Sequence, residues 1–196
     1  MTSRRSLATL LTEIRVCRVC EQSLPLGPRP ILGASKLSRV LIIGQAPGTR
    51  VHKSGIPWDD PSGDRLRQWL GVDKQQFYDE RLFAIVPMGF CYPGKGKSGD
   101  LPPRPECAPL WHDKLLSYMP DIKLTLLIGQ YAQNYYLEDK FKTLTDRVRN
   151  WRDAKPNHLP LPHPSPRNQI WMKKNPWFAD EVLPQLSTRV HQLLDP

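Results

Sequence analysis

The sequence lacks any apolar run long enough to cross a bilayer, and its opening stretch, MTSRRSLATLLTEIRVCRVC, interrupts its apolar positions with Thr, Glu and Arg. That pattern fits neither a membrane span nor a signal peptide and reads as an amphipathic helix. Acidic residues are in deficit: 19 Asp and Glu face 28 Lys and Arg, a net charge of +9. Such a balance suits a polyanionic partner, the other reading being a merely basic soluble protein. Cysteine is limited to four residues, and without a secretory pattern these belong to a reducing, cytoplasmic setting. No repeat or low-complexity tract occurs. The Lys-Ser/Thr ending of a phosphate-binding loop is missing, as is the three-glycine dinucleotide fingerprint.

What is present fits one compact domain over residues 1–196, since 39% of the chain is hydrophobic and a chain of this length supports a single core. Three short runs rich in Val, Ile and Leu, at 39–43, 82–86 and 124–128, each lead into Gly or Pro and read as buried parallel strands. A fourth, HLPLP, begins at His158. Helical patterns lie between them at 62–72, with Ser62 or Asp64 as cap, and at 106–119, and a last one follows from Ala179. The alternation predicts a three-layer α/β/α sandwich around a central, mainly parallel four-stranded sheet, with ligands gathered at the carboxyl ends of the strands.

Two loops fall at those ends. Gly44-Gln45-Ala46-Pro47-Gly48 follows the first strand directly, and its glycines permit a tight turn and close backbone approach to a ligand. Ten residues on comes GIPWDD, where Trp58 is either a flat platform for a base or a core-filling side chain. HPSPRN, His163 to Asn168, follows the last strand; proline and serine there are equally the residues of a plain turn.

GQAPG followed by GIPW resembles the first motif of the uracil-DNA glycosylase superfamily, and is closest to its bacterial iron–sulfur branch, family 4. HPSPRN resembles the second motif, in the form carried by the single-strand-selective branch. The similarity runs from Cys17 to the last helix and implies a monofunctional enzyme that hydrolyses the N-glycosidic bond of uracil or another deaminated base in DNA. The damaged DNA would be its partner, with no membrane, and the protein is expected as a cytoplasmic, nucleoid-associated monomer. A non-catalytic base-binding protein of the same fold, or a hydrolase of free nucleosides or nucleotides, are the alternatives. A small-molecule hydrolase would not need the net positive charge, and its turnover would lack the steep salt dependence of DNA binding.

The resemblance assigns His163 to hydrogen-bond the leaving base, an electrostatic role. Gly44, Ala46, Pro47, Gly48 and Trp58 would form the base pocket. Ser165, Pro166, Arg167 and Asn168 would meet the DNA backbone, with Arg167 as the wedge that holds the gap left by an extruded nucleotide. Lys95, Lys97 and Arg104 are further phosphate contacts or a solvated loop. Ala46 stands where another branch has a water-orienting aspartate, so that task passes to backbone, to Gln45, or to Asp59, Asp60 or Asp64. Pro87 stands where family 4 carries a base-reading asparagine, four residues before its third cysteine. Proline has no donor, so either the amides of Met88 and Gly89 read the base beside Pro87, or the specificity differs, or activity is lost.

Cys17 and Cys20 are separated by two residues, Cys91 and Cys107 by fifteen. Spacing alone suits tetrahedral zinc or a cubane cluster, or else unliganded or disulfide-paired cysteines. The resemblance implies a [4Fe–4S] cluster, with Zn as the alternative.

Overall fold

The computed structural model describes residues 6–194. Helix α1 (Leu7–Arg15) is capped by Ser6, whose hydroxyl accepts from the Thr9 amide; the first five residues of the expected amphipathic stretch lie outside the described residues. Strand β1 (Val40–Ile43) follows, then α2 (Thr49–Ser54), α3 (Pro61–Leu70), α4 (Lys74–Phe77), β2 (Phe83–Ile85), α5 (Cys107–Leu116) and β3 (Leu124–Ile128). The chain continues through α6 (Gln130–Tyr136), α7 (Leu144–Arg149), β4 (His158–Leu161), α8 (Gln169–Lys174), a π turn (Phe178–Val182) and α9 (Leu183–Leu194). Pro184 has no amide to close an α-turn onto the carbonyl four residues back, and the chain just before it is widened to π geometry.

The sheet has the order β2-β1-β3-β4, and every pairing is parallel. Both faces are buried, which explains why the strands read as apolar runs, broken only by the buried Thr125 in β3 and by His158 at the start of β4. Val40, Ile42, Ile85, Leu126 and Leu161 point into one core with Leu66 and Leu70 of α3 and Leu186 and Val190 of α9. Leu41, Ile43, Ala84 and Leu127 point into the other with Leu10 and Ile14 of α1, Leu115 of α5 and Ala132 of α6. The result is the expected three-layer α/β/α arrangement. No helix among the described residues is long and apolar enough to cross a membrane.

One expected cap moves. Neither Ser62 nor Asp64 caps α3; Asp60 does, its Oδ1 accepting from the Gly63 amide at 2.8 Å, with Pro61 in the first turn. Proline at that position has its φ preset for the helix and gives up an amide that would be unpaired anyway. Asp64 instead pairs with Arg67 at 2.6 Å.

Parallel pairing puts the carboxyl ends of all four strands along one edge. The chain leaves β1 toward β2 on one side and reaches β3 on the other, so the connections diverge there and leave a crevice.

Candidate active site

That edge holds a pocket of about 430 Å³, part of it open to solvent, bordered by Gly44, Gln45, Ala46 and Pro47 after β1, by Ile85 and Pro87 at the end of β2, and by His163 after β4. Pro57, Trp58 and Asp60 close it from the segment before α3, with Ile31 and Val51 adding apolar wall. Most of the residues predicted for this site are thus brought together from four separate segments.

Gly44 is required by contact. A Cβ built on it would lie 2.9 Å from the indole of Trp58, so a side chain here would displace the ring. Trp58 is half-buried, packs against the core and borders the pocket, so the two readings of this residue are not exclusive. Its φ is 57°, a conformation unusual for a bulky residue and one that persists only where surroundings enforce it. Three groups do so. The Trp58 carbonyl accepts from Arg67 Nη1 at 3.4 Å, Tyr78 donates its hydroxyl to the Pro57 carbonyl at 3.0 Å, and Gly63 leaves room for that loop. Arg67 is itself buried, its guanidinium 5.2 Å from the Phe77 ring centroid.

His163 lies beside this indole, ring centroids 5.6 Å apart. Burial pushes its imidazole below the usual value, with the Asp60 carboxylate pulling the other way, which keeps the ring neutral near pH 7. The loop behind it is pinned at three points: Asn168 Nδ2 donates to the His163 carbonyl at 2.8 Å, the Ser165 hydroxyl accepts from the Arg167 amide at 3.2 Å, and Arg65 Nη1 reaches the Ser165 carbonyl at 3.1 Å. Ser165 and Asn168 therefore shape the turn, while Pro166 and Arg167 are exposed. Arg167 Nη1 rests 3.3 Å from the Ser98 carbonyl, on the basic loop that carries the exposed Lys95 and Lys97.

Several expectations are corrected. Met88 and Gly89 do not border the pocket, and their amides are consumed: Met88 donates to Gly44 O at 2.8 Å and Gly89 to Gln45 O at 3.0 Å. Those bonds tie the chain after β2 to the loop after β1, which leaves neither amide to read a base. Gly48 stands outside the pocket as the residue preceding α2, with the Asp100 carboxylate 3.2 Å from where its Cβ would be. The Gln45 side chain is engaged with the Leu101 carbonyl at 3.0 Å. Of Asp59, Asp60 and Asp64, only Asp60 borders the pocket. Arg104 is paired with Glu106 at 2.7 Å.

Sequence reasoning passed over Ile31, Val51, Pro57 and Ile85 as pocket walls and Arg65 and Arg67 as loop supports. Nothing local marks them. Asp60 was among the carboxylates expected for the water, but its part as the cap of α3 was missed, although an aspartate directly before a proline that opens a helix is a recognisable cap signal.

The four cysteines are free and border one cavity between the end of α1, the chain at 89–91 and the start of α5, walled by Phe90 and Trp111. The Phe90 amide donates to Cys107 Sγ at 3.4 Å. Burial pushes the Cys91 thiol up to about 11 and the Cys107 thiol up to about 12. Among the described residues no group of three or more His, Cys, Asp or Glu side chains is gathered closely enough for a metal ion. The four thiols nonetheless share one space, and they are the residues that could hold a larger metal group.

The family model described as "Uracil DNA glycosylase superfamily" matches residues 31–187, a span that includes both loops of the pocket.

Proposed function

The chain belongs to the uracil DNA glycosylase superfamily, and from that membership we propose that it is a monofunctional DNA glycosylase that excises uracil or another deaminated base. The observation that carries this reading is the convergence of Trp58, His163 and Asp60 on one pocket at the carboxyl edge of the sheet. A base must leave the helix stack to reach such a pocket. Trp58 offers a ring face to the extruded base, and the neutral imidazole of His163 donates a hydrogen bond as negative charge develops on the leaving base, a contribution of about 3–4 kcal/mol for one well-placed donor. Asp60 orients the attacking water and takes its proton. The C1′–N bond breaks with its electron pair going to the base, the water oxygen bonds to C1′, and the products are a free base and an abasic site. Arg167, released from Ser98, would enter the gap in the duplex.

Cys17, Cys20, Cys91 and Cys107 are proposed to hold a [4Fe–4S] cluster rather than zinc. The choice of cluster over zinc follows from the resemblance to the iron–sulfur branch, and it is supported by the four thiols bordering one shared cavity. When bound, the cluster would be structural, tying the end of α1 to the start of α5.

A second reading, a protein that binds flipped bases without cutting, is favoured by the wall at Pro87, where no side chain and neither following amide is free to read a base edge. Incubation with single-stranded and duplex oligonucleotides containing uracil, hypoxanthine or xanthine, followed by alkaline cleavage of abasic sites, separates the two. Strand scission supports the glycosylase; tight, salt-sensitive binding without scission supports the binder.

A further inference from the structure

His112 is fully buried on α5, outside the pocket. Its Nε2 lies 3.1 Å from the Pro87 carbonyl and its Nδ1 lies 2.6 Å from the Tyr136 hydroxyl. A carbonyl can only accept, so Nε2 carries the proton. Burial pushes the imidazole down to about 4, so the ring is neutral, Nδ1 is an acceptor and Tyr136 must donate to it. The tautomer is thus set by its two partners. Phe90 stacks on the ring at 5.7 Å and 13°, which fixes its plane as well.

The consequence lies in the wall of the pocket. Pro87 borders the pocket while its carbonyl is committed to the interior. The next two amides are bonded to Gly44 and Gln45, so the direction of the 87–88 peptide, the Met88–Gly44 bond and the seat of the first-motif loop depend on one another. An unpaired Pro87 carbonyl would be a buried acceptor without a donor, and that penalty favours rotation of the peptide. We infer that His112 is a positioning residue for base excision, holding the 87–89 segment so that Pro87 presents its ring, and no hydrogen-bonding group, to the base. This inference rests on the glycosylase reading for its effect on rate, though the hold on the wall does not.

The test uses the full chain and its His112→Phe, His112→Gln and Tyr136→Phe variants. Glutamine can still donate an amide proton toward Pro87; phenylalanine cannot. In His112→Phe the Met88 and Gly89 amides should exchange with deuterium about tenfold faster while the Leu126 amide in β3 does not, in keeping with the loss of one buried hydrogen bond. Single-turnover excision should fall by a similar factor with DNA affinity unchanged, and His112→Gln should recover both. Tyr136→Phe should lie between, and nitrogen NMR of the wild type should show the Nε2-protonated ring. Uniformly faster exchange in all variants, or excision and Met88 exchange at wild-type levels in His112→Phe, overturns the inference; should His112→Phe not fold, Tyr136→Phe and His112→Gln decide by the same two readouts. A wild type that excises no base sinks the glycosylase reading, while exchange and NMR still decide whether His112 holds the wall.

Discussion

The indole of Trp58 and the imidazole of His163 border the same pocket with ring centroids 5.6 Å apart and planes tilted by 32°. One arrives from the segment before α3 and the other from the loop after β4, so each fixes the other's position. Trp58→Ala should weaken binding of DNA carrying the excisable base by about 1–3 kcal/mol, more than it weakens undamaged DNA. His163→Ala should slow single-turnover excision by roughly 10²–10³-fold. In a double-mutant cycle the two should be non-additive by about 0.5 kcal/mol or more. Strict additivity would show that the ring contact has no bearing on excision.

Asp60 has two tasks that substitution can separate. Asparagine also caps helices well, so Asp60→Asn should leave the melting temperature nearly unchanged, whereas Asp60→Ala should cost about 1 kcal/mol of stability. Both should lose excision by roughly 10²-fold or more, because neither can accept the proton of the attacking water. Normal excision by Asp60→Asn would pass the water to another group.

Gly63 leaves no room for a side chain. A Cβ there would fall 1.8 Å from the Trp58 carbonyl oxygen, and that carbonyl also accepts from the buried Arg67. Gly63→Ala should therefore destabilise the fold by about 3 kcal/mol or more and shift the tryptophan fluorescence as Trp58 leaves its positive φ. Denaturant unfolding followed by both fluorescence and circular dichroism checks this; an unchanged midpoint would mean that the α3 start relaxes freely.

The thiol cavity makes an elemental prediction. Protein prepared without oxygen should be brown and hold about four iron atoms per chain. Cys107→Ser, which alters the thiol that accepts the Phe90 amide, should lose most of that iron. One zinc per chain would replace the cluster with a single ion, and no metal in either form would remove the site.

His112 also sets a pH dependence. Its folded-state value is lowered to about 4 from an unfolded value of about 6.5. Above pH 6.5 both states are neutral there and stability is unaffected; as pH falls from 6.5 toward 4 the unfolded chain takes up the proton first, and stability declines by a total of roughly 3 kcal/mol. The Asp113 carboxylate and the Pro87 carbonyl oppose the lowering without reversing it. His112→Gln should remove this component, so denaturant melts of the two proteins should diverge less at pH 7.5 than at pH 4.5 once its own offset is subtracted.

The strands were legible because they are buried on both faces. Val40–Ile43 is apolar throughout and Leu124–Ile128 is apolar but for the buried Thr125, and a nearly continuous apolar run needs no tertiary information to be seen. The two loops were legible for a related reason. Gly-Pro and Pro-Ser-Pro chemistry is local, and parallel strands place all such loops on one edge. His112 was not legible: a histidine in helix α5 reads as a surface residue until Phe90 and Tyr136 are found against it. The Met88 and Gly89 amides were misjudged because backbone donors are free or spent according to a partner more than forty residues away.

By itself, then, the sequence determined the four strands, helices α1, α3, α5 and α9, the parallel sheet and the pair of loops that carry the pocket, while the short helices α2, α4, α6, α7 and α8 were not foreseen. The features foreseen follow from side-chain periodicity and turn chemistry, each contained within a few residues. The tertiary structure alone decided that Asp60 is the carboxylate at the pocket, that Trp58 is held in a left-handed conformation and that Pro87 turns its carbonyl inward to His112. Each of those depends on a contact between distant segments, and such contacts exist only once both cores have closed around the sheet.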